Sequence, residues 1–338
     1  MHAYHTTALW FTGPYHVTVR DEVLRPLGPS EVCVHTLVSG ISHGTEMLAY
    51  RGQVPPTLAL DLPTLAGSFA FPLKYGYAAV GEVIEVGAAV DRYRVGDLVF
   101  ALHPHQQLLQ LPTTLVARLP TGLDPLLGVF MANVETALTI SFDTPLRLGE
   151  TVVLFGQGVV GLLTLQLLRR AGAERVIVVE PIEQRRYLAL SLGATAALVP
   201  SPDLPDEIRH LNAGRLADVA VEVSGCGAAL QAAIEVVANE GTVVVASWYG
   251  SKPVTLHLGE HFHRGRVRLR SSQVGHLPPE MTPRWDYARR SALVASLLPQ
   301  LALHELITHR FPFEAAADAY RLIDEHPAQV VQVVLTYV

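Results

Sequence analysis

Residues 151–181, TVVLFGQGVVGLLTLQLLRRAGAERVIVVEP, decide how the fold is read. The apolar, β-branched run 152–155 predicts a strand. Gly156, Gly158 and Gly161 follow, and an apolar helix then runs to Arg170, with Gly172 just past its end. A second apolar strand, 176–179, finishes at Glu180. Each part has a physical task in holding a dinucleotide. Gly156 permits a sharp turn, Gly158 lets the backbone approach a pyrophosphate, and Gly161 lets helix and strand pack closely. The free N–H groups where the helix opens, at Gly158, Val159 and Val160, are aimed at the phosphates. Glu180 lies about twenty residues beyond the last glycine, where a carboxylate accepts bonds from the ribose 2′-hydroxyl. Three glycines alone also occur in turns that bind nothing. Here the strand before them, the helix after them and the acid all stand in the required order.

Glu180 also bears on the choice of cofactor. A carboxylate there repels a 2′-phosphate, so NAD(H) is favoured over NADP(H). Arg185 and Arg186 point the other way, because arginines near this position accommodate that phosphate. Their plainer reading is solvated charge on a helix face.

Working outward, the chain of 338 residues is long for one core and suggests two domains. With 49% hydrophobic and 17% charged residues it can bury a large interior. A net charge of -6, spread along the chain, gives no footprint for nucleic acid and no polybasic membrane patch. Cys33 and Cys226 are too few and too far apart for a disulfide framework, which fits a reducing cytoplasm. MHAYHTTALWFTGPYHV, residues 1–17, lacks the basic start and apolar core of a signal peptide. No run is apolar for long enough to predict a membrane span.

Residues 1–118 read as mostly β, with short alternating runs such as EVCVHTLVSG and GEVIEVG between Gly/Pro turns. The period then becomes helical over 124–142. Strands and helices alternate up to about residue 275, the pattern of a parallel sheet covered on both faces. Two helical segments, 284–298 and 315–325, and a last strand, VVQVVLTYV, complete the chain. The expected fold class is therefore α/β. A doubly wound six-stranded domain fills 119–275, and a β-rich domain combines 1–118 with 276–338.

Several motifs together resemble the medium-chain dehydrogenase/reductase superfamily, which includes the alcohol dehydrogenases. They are SGISHGTE (39–46), YGYAAVGEVIEVG (75–87), RVGDLVF (94–100), LGETVVLFGQGVVG (148–161) and VEVSG (221–225). GISHGTEMLAYRGQVP and SSQVG…RWDYARR are most similar to the subgroup of bacteriochlorophyllide a dehydrogenase. The resemblance spans the whole chain. It implies a GroES-like, partly open β-barrel catalytic domain, a Rossmann domain, an active site in the cleft between them, and a homodimer. It also implies that Ser224 lies beneath the adenine ribose and that Thr136, four residues after the position of a zinc-ligand cysteine, contributes to cofactor binding.

The departures from the family are as informative. Zinc members hold their metal with a cysteine before a Gly-Thr-Asp-like turn, a histidine or histidine–glutamate pair, and often a later cysteine. Here the turn is Gly44-Thr45-Glu46 after Ser42 and His43, the Gly-His-Glu stretch is Gly76-Tyr77-Ala78, and the later cysteine is Ala132. The four-cysteine structural zinc lobe is absent from the sequence. Zinc requires converging thiolate, imidazole or carboxylate ligands, and this chain offers at most His43 at those positions. No catalytic zinc is expected. HFH at 261–263 is read as two surface imidazoles on one side of a strand.

Without a metal, a side chain must hold the substrate oxygen or carry its proton. His43 is a candidate acid/base because its ordinary pKa lies near neutrality; otherwise it is a loop histidine bonded to backbone. Thr45 matches the family's hydroxyl relay, or else is a turn or cap residue. Tyr77 can donate a hydrogen bond to a carbonyl, or else fills the emptied metal site. Glu46 is expected to orient its neighbours. Glu135 is left open between the site and a cap. Trp248 and Tyr249 end a sheet strand, where they line a pocket or pack an edge. The expected activity is a zinc-independent, NAD(H)-dependent oxidoreductase acting on a small-molecule secondary alcohol or ketone. The alternatives are an NAD(P)H quinone- or enoyl-type reductase, and a dinucleotide-binding protein without catalysis.

Overall fold

The computed structural model describes residues 4–60 and 62–338. Residues 1–3, part of the segment read for a leader, and Asp61 lie outside the described residues. In chain order the elements begin with β1 (His5–Gly13), β2 (His16–Val23), β3 (Glu31–Ile41), α1 (Thr45–Tyr50), β4 (Ala79–Val86), β5 (Leu98–Ala101), β6 (Leu108–Pro112) and β7 (Val116–Arg118). There follow α2 (Pro125–Gly128), α3 (Met131–Asp143), β8 (Thr151–Phe155), α4 (Val159–Arg170), β9 (Arg175–Val179), α5 (Glu183–Ser191), β10 (Ala196–Leu198) and α6 (Leu204–Leu211). The chain then continues through β11 (Ala217–Glu222), α7 (Gly227–Val236), β12 (Val237–Val245), α8 (His261–Arg264), β13 (Arg268–Ser271) and α9 (Tyr287–Leu297). It closes with β14 (Ile307–Pro312), α10 (Ala316–Glu325) and β15 (Gln332–Thr336).

The chain divides into two compact units, one running up to Ala132 and resuming at Leu298–Val338, the other being Asn133–Leu297. Both boundaries lie C-terminal to the expected ones, 118/119 and 275/276. At the first, α2 packs on β3 and β4 and so belongs with the β-rich unit. At the second, Arg290 of α9 donates to Glu135 Oε1 at 2.7 Å and to Thr139 Oγ1 at 3.1 Å, which ties α9 to α3.

In the β-rich unit, seven strands are ordered β14-β15-β3-β4-β5-β7, with β6 pairing β3 off this path, and β1 and β2 form an antiparallel hairpin. Where the resemblance implies a partly open barrel, these strands form a seven-stranded mixed sheet. β3 is its centre: it pairs antiparallel with β4, β6 and β15. Its apolar residues Val32, Val34 and Ile41 are buried. A second cluster gathers α1, α10 and β1 around Met47, Tyr50, Phe11 and Tyr320, with Phe11 and Tyr320 edge to face at 5.4 Å.

In the other unit, six strands run parallel in the order β10-β9-β8-β11-β12-β13. Numbered within the unit this is 3-2-1-4-5-6, the dinucleotide-binding order whose switch point lies between β8 and β11. Three local expectations change. The helix read over 124–142 is two helices, because Asp124 caps α2 by accepting from Leu126 N at 2.9 Å and the chain turns before α3. HFH is the helical turn α8 rather than a strand, and His261 reaches Val237 O at 2.8 Å. RWDYARR reads in the sequence as a solvated, salt-bridged face, yet its Arg290 is 4% exposed. Among the described residues no helix is long and apolar enough to cross a membrane.

His103, just after β5, tests the electrostatics of the β-rich interior. Burial pushes its imidazole down to about 4, against the partial help of Pro104 O at 2.9 Å. A depressed histidine stabilises the fold fully above its ordinary pKa of 6.5, and that stability is lost as pH falls through about 4. A shift of this size corresponds to about 3 kcal/mol. Urea unfolding of His103→Gln should therefore show a smaller loss of stability between pH 7 and pH 4 than the unmodified protein. Equal losses would mean that His103 does not drive the acid sensitivity.

Candidate active site

A candidate nucleotide site is built by β8, the glycine loop and α4. Gly156 follows β8 directly and has φ +92°, and a Cβ there would fall 2.8 Å from Ser224 Cα. At Gly161 a Cβ would come within 2.0 Å of Gly156 O, so only glycine allows the helix this close to the turn. Gly158 caps α4 with no side-chain acceptor, and a Cβ there would meet nothing within 4 Å. Val159 and Val160 open the helix above that space, and their N–H groups and the helix dipole suit an anion. These residues fit a pyrophosphate.

Glu180 lies at the end of β9 and is 2% exposed. Its Oε2 accepts from Gln157 N at 2.6 Å and its Oε1 from Ile182 N at 3.0 Å, so the acid also clamps the glycine loop. Arg186 donates to the carbonyls of Glu180 and Pro181 at 2.8 and 2.7 Å. Arg185 is partly buried on α5, where desolvation lowers its pKa and the charge of Glu180 opposes the drop. On the neighbouring strand, Glu222 accepts from Ser224 N, Ser224 Oγ and Gly225 N, and from Tyr249 Oη at 2.6 Å. The Ser224 turn is thus rigid, and Tyr249 braces it rather than standing free at a pocket wall. Trp248 is 41% exposed. Thr136 is partly buried on α3, and Glu135 is paired with Arg290.

A separate cluster of candidate chemical groups lies in the β-rich unit, where β3 delivers Ser42, His43 and Thr45 at the start of α1. Tyr77 Oη donates to Ser42 Oγ at 2.5 Å and also meets the Thr45 hydroxyl. Burial, with the nearby charge of Glu46 second, pushes the Tyr77 phenol up to about 12, against the lowering contacts of Ser42 and Thr45. The phenol therefore keeps its proton at neutral pH. His43 sits half-buried in the intervening turn.

Below these hydroxyls lies a layer that the sequence did not single out as a unit. Glu46 is fully buried. Its Oε1 accepts from Ser42 N at 2.9 Å, and its Oε2 accepts from Tyr320 Oη at 2.6 Å and meets His105 Nε2 at 2.9 Å. His105 Nδ1 in turn meets Ser39 Oγ at 2.7 Å, and Ser39 Oγ meets Tyr337 Oη at 2.8 Å.

The positions where the resemblance places zinc ligands do not fit that metal. They hold Ser42 with His43 beside it, Tyr77 and Ala132, which offer at most one imidazole, and Ser42 and Tyr77 are hydrogen-bonded to each other. Glu46 and His105 have donors zinc accepts, but they are turned toward each other and toward Tyr320 and Ser39. Cys33 is buried, with its thiol pushed up to about 11 by desolvation, and Cys226 is exposed in the other unit. Among the described residues no group of three or more His, Cys, Asp or Glu converges.

Residues 159–289 match the family described as zinc-binding dehydrogenase. Over 334 residues the chain is 28% identical to D-guloside 3-dehydrogenase of Escherichia coli (strain K12), covering 93% of this chain and 95% of that one. It is 29% identical over 341 residues to 2-desacetyl-2-hydroxyethyl bacteriochlorophyllide A dehydrogenase of Cereibacter sphaeroides, covering 93% of each. Its fold is also that of an alcohol dehydrogenase from E. coli CFT073 solved with NADH. That structure has a TM-score of 0.79 and 19% identity, over 98% of this chain and 99% of that one.

Proposed function

We propose that this chain, which belongs to the medium-chain dehydrogenase/reductase superfamily, is an oxidoreductase that passes hydride between NAD(H) and a secondary alcohol or its ketone without a catalytic zinc. The observation that supports this reading is the Tyr77–Ser42 hydroxyl pair, formed by residues at positions where the resemblance puts zinc ligands. The relatives' names, a guloside 3-dehydrogenase and a hydroxyethyl bacteriochlorophyllide dehydrogenase, support an alcohol substrate. The clamp of Glu180 on Gln157 N, and the use of Arg186 on two carbonyls, support NAD(H) over NADP(H). The mild net charge of -6 fits a small-molecule substrate rather than a nucleic acid. A cytoplasmic homodimer remains part of this proposal.

The nicotinamide supplies or takes up the hydride. The residues of this chain have to hold the substrate oxygen and exchange one proton with it. In reduction, Tyr77 Oη donates a hydrogen bond to the carbonyl oxygen and gives up its proton as the C–H bond forms. Thr45 and Ser42 steady the resulting phenolate until solvent returns the proton. In oxidation the phenolate must accept the alcohol proton, and a phenol held at about 12 is scarcely ionised near pH 7. Reduction is therefore expected to be nearly flat from pH 6 to pH 9. Oxidation should rise with pH by up to about tenfold per unit through pH 10. Steady-state rates in both directions across that range check the assignment. An oxidation rate that levels off near pH 7 would move the base from Tyr77 to His43.

The decisive first measurement is a fluorescence titration of metal-analysed protein with NADH and NADPH, followed by an alcohol and ketone screen. NADH binding with less than stoichiometric zinc, plus turnover of a secondary alcohol, is the expected result. Stoichiometric zinc would overturn the metal-free reading. A clear NADPH preference would favour a reductase of quinones or activated double bonds, which the same proton-donating phenol would serve. NADH binding with no turnover of any alcohol, ketone or quinone would leave a dinucleotide-binding protein without catalysis.

A further inference from the structure

The buried polar layer under the hydroxyl pair calls for an explanation of its own. Burying a carboxylate costs several kcal/mol unless its oxygens are satisfied. Glu46 meets that condition with three partners, the nearby Ser42 N and, from distant parts of the chain, Tyr320 Oη and His105 Nε2. The proton arrangement is consistent along the whole chain of groups. With Glu46 ionised, His105 donates from Nε2, so its Nδ1 accepts from Ser39, and Ser39 accepts from Tyr337. Only one of the three bonds made by Glu46 points toward the reacting side, and it goes to the main chain of the residue whose hydroxyl receives the Tyr77 proton. His105 touches the same turn from below, since a Cβ on Gly76, next to Tyr77, would lie 3.1 Å from its Nε2.

We propose that Glu46 and His105 are positioning residues of this site. His105 and Tyr320 lock Glu46, Glu46 holds the Ser42 main chain, and the Ser42 hydroxyl is thereby fixed against Tyr77. This rests on the reading of Tyr77 as the group that serves the substrate oxygen. The charge of Glu46 has a second effect, because it raises the pKa of Tyr77 and so keeps the phenol protonated. The titratable groups facing Tyr77 are Glu46 on α1, Tyr75 on its own segment and Tyr320 on α10. Those facing Glu46 are His105, Tyr320, Tyr337 and Tyr77 itself. His43 lies in the turn beside them.

The test compares Glu46→Gln, Tyr320→Phe and Tyr77→Phe in the full-length protein. Glu46→Gln keeps the shape and an acceptor for Ser42 N but removes the charge. Its expected result is a kcat lowered about 10- to 100-fold, the scale of a misplaced catalytic group, with KM and NADH affinity changed less than about threefold. The sign for pH follows from the charge: without it Tyr77 ionises more easily, so the rising limb of the oxidation profile moves to lower pH. Tyr320→Phe removes one bond to Glu46 and leaves Ser42 untouched, so it should lower kcat severalfold, again with KM preserved. It carries the test if Glu46→Gln does not fold. A kcat and pH profile like those of the unmodified protein in whichever of these variants folds, beside an inactive Tyr77→Phe, would overturn the positioning role and leave the function standing. Full activity in Tyr77→Phe would instead overturn the underlying reading.

Discussion

Tyr77→Phe is expected to lower kcat for ketone reduction about 10²- to 10³-fold, within the range supplied by a positioned proton donor, while NADH binding stays unchanged. The reasoning starts from what the substitution removes. The phenyl ring keeps the edge contact with Tyr75, whose centroid is 6.4 Å away, so packing is retained. The lost atom is the one donor aimed at Ser42 Oγ and Thr45. Loss of that hydrogen bond should cost about 1 kcal/mol of stability, too little to unfold the protein. NADH binding is expected to survive because the glycine loop, Glu180 and Ser224 belong to the other unit. Ser42→Ala should cost less, about tenfold, because Tyr77 keeps its phenol and loses only the partner that orients it. Fluorescence titration and steady-state kinetics on the same preparations separate binding from chemistry. If Tyr77→Phe turns over a secondary alcohol at the unmodified rate, the phenol is a filler of the space a metal occupies in relatives, and His43 becomes the group to replace next.

What could be read from the sequence, and what could not, divides along the range of the interactions. The parallel sheet was legible because its signal is local: β8, the glycine loop, α4 and β9 occupy the consecutive residues 151–179 with a clear change of period. Tyr77, Thr45 and His43 could be picked out because the family resemblance names their positions, and the structure does bring Tyr77, Thr45 and Ser42 together. The buried layer could not be read. Glu46 is 59 residues from His105 and 274 from Tyr320, and no periodicity links positions so far apart. His105 falls in none of the family motifs and so gives no local signal. Tyr320 reads as one more apolar residue on the inner face of α10, because its ring is core and only its hydroxyl has another purpose. The same holds for Glu135, whose partner Arg290 is 155 residues away in a segment that reads as solvated.

Local errors have equally local causes. α8 is four residues long, too short for either period to be distinguished, and its direction is set by the bond of His261 to Val237 O. Glu180 was read as a ribose acceptor. The structure adds that both of its oxygens already hold main-chain N–H groups of the surrounding loops. A side chain with that second task is costly to replace. Changing Glu180 to relax cofactor choice would therefore also loosen the glycine loop, and its effect on NADPH binding cannot be taken as a pure measure of 2′-phosphate repulsion.

Gly158 gives the cleaner probe of the candidate nucleotide site, and Gly158→Val is expected to weaken NADH binding at least 100-fold with little change in the stability of the free protein. Gly158 has φ -74° and ψ -173°, a conformation open to any residue, and a Cβ there would meet nothing within 4 Å. The only structural penalty is a poorer helix cap, about 1 kcal/mol. The space itself is the point, because it lies where a pyrophosphate must approach the N–H groups at the start of α4. Displacing the phosphates would lose charge-assisted hydrogen bonds worth about 1.5–3 kcal/mol each, and two of them account for a loss of 100-fold or more. Gly161→Val is the contrasting case. A Cβ there would fall 2.0 Å from Gly156 O, so this variant should destabilise the sheet unit whether or not NADH is present. Thermal melts with and without NADH distinguish the two. Gly158→Val should match the unmodified melting point without NADH and gain nothing when it is added, whereas Gly161→Val should melt early in both conditions. A Gly158→Val protein that still gains full stability from NADH would mean that the pyrophosphate does not rest on this loop, and the assignment of the cofactor site would have to be abandoned.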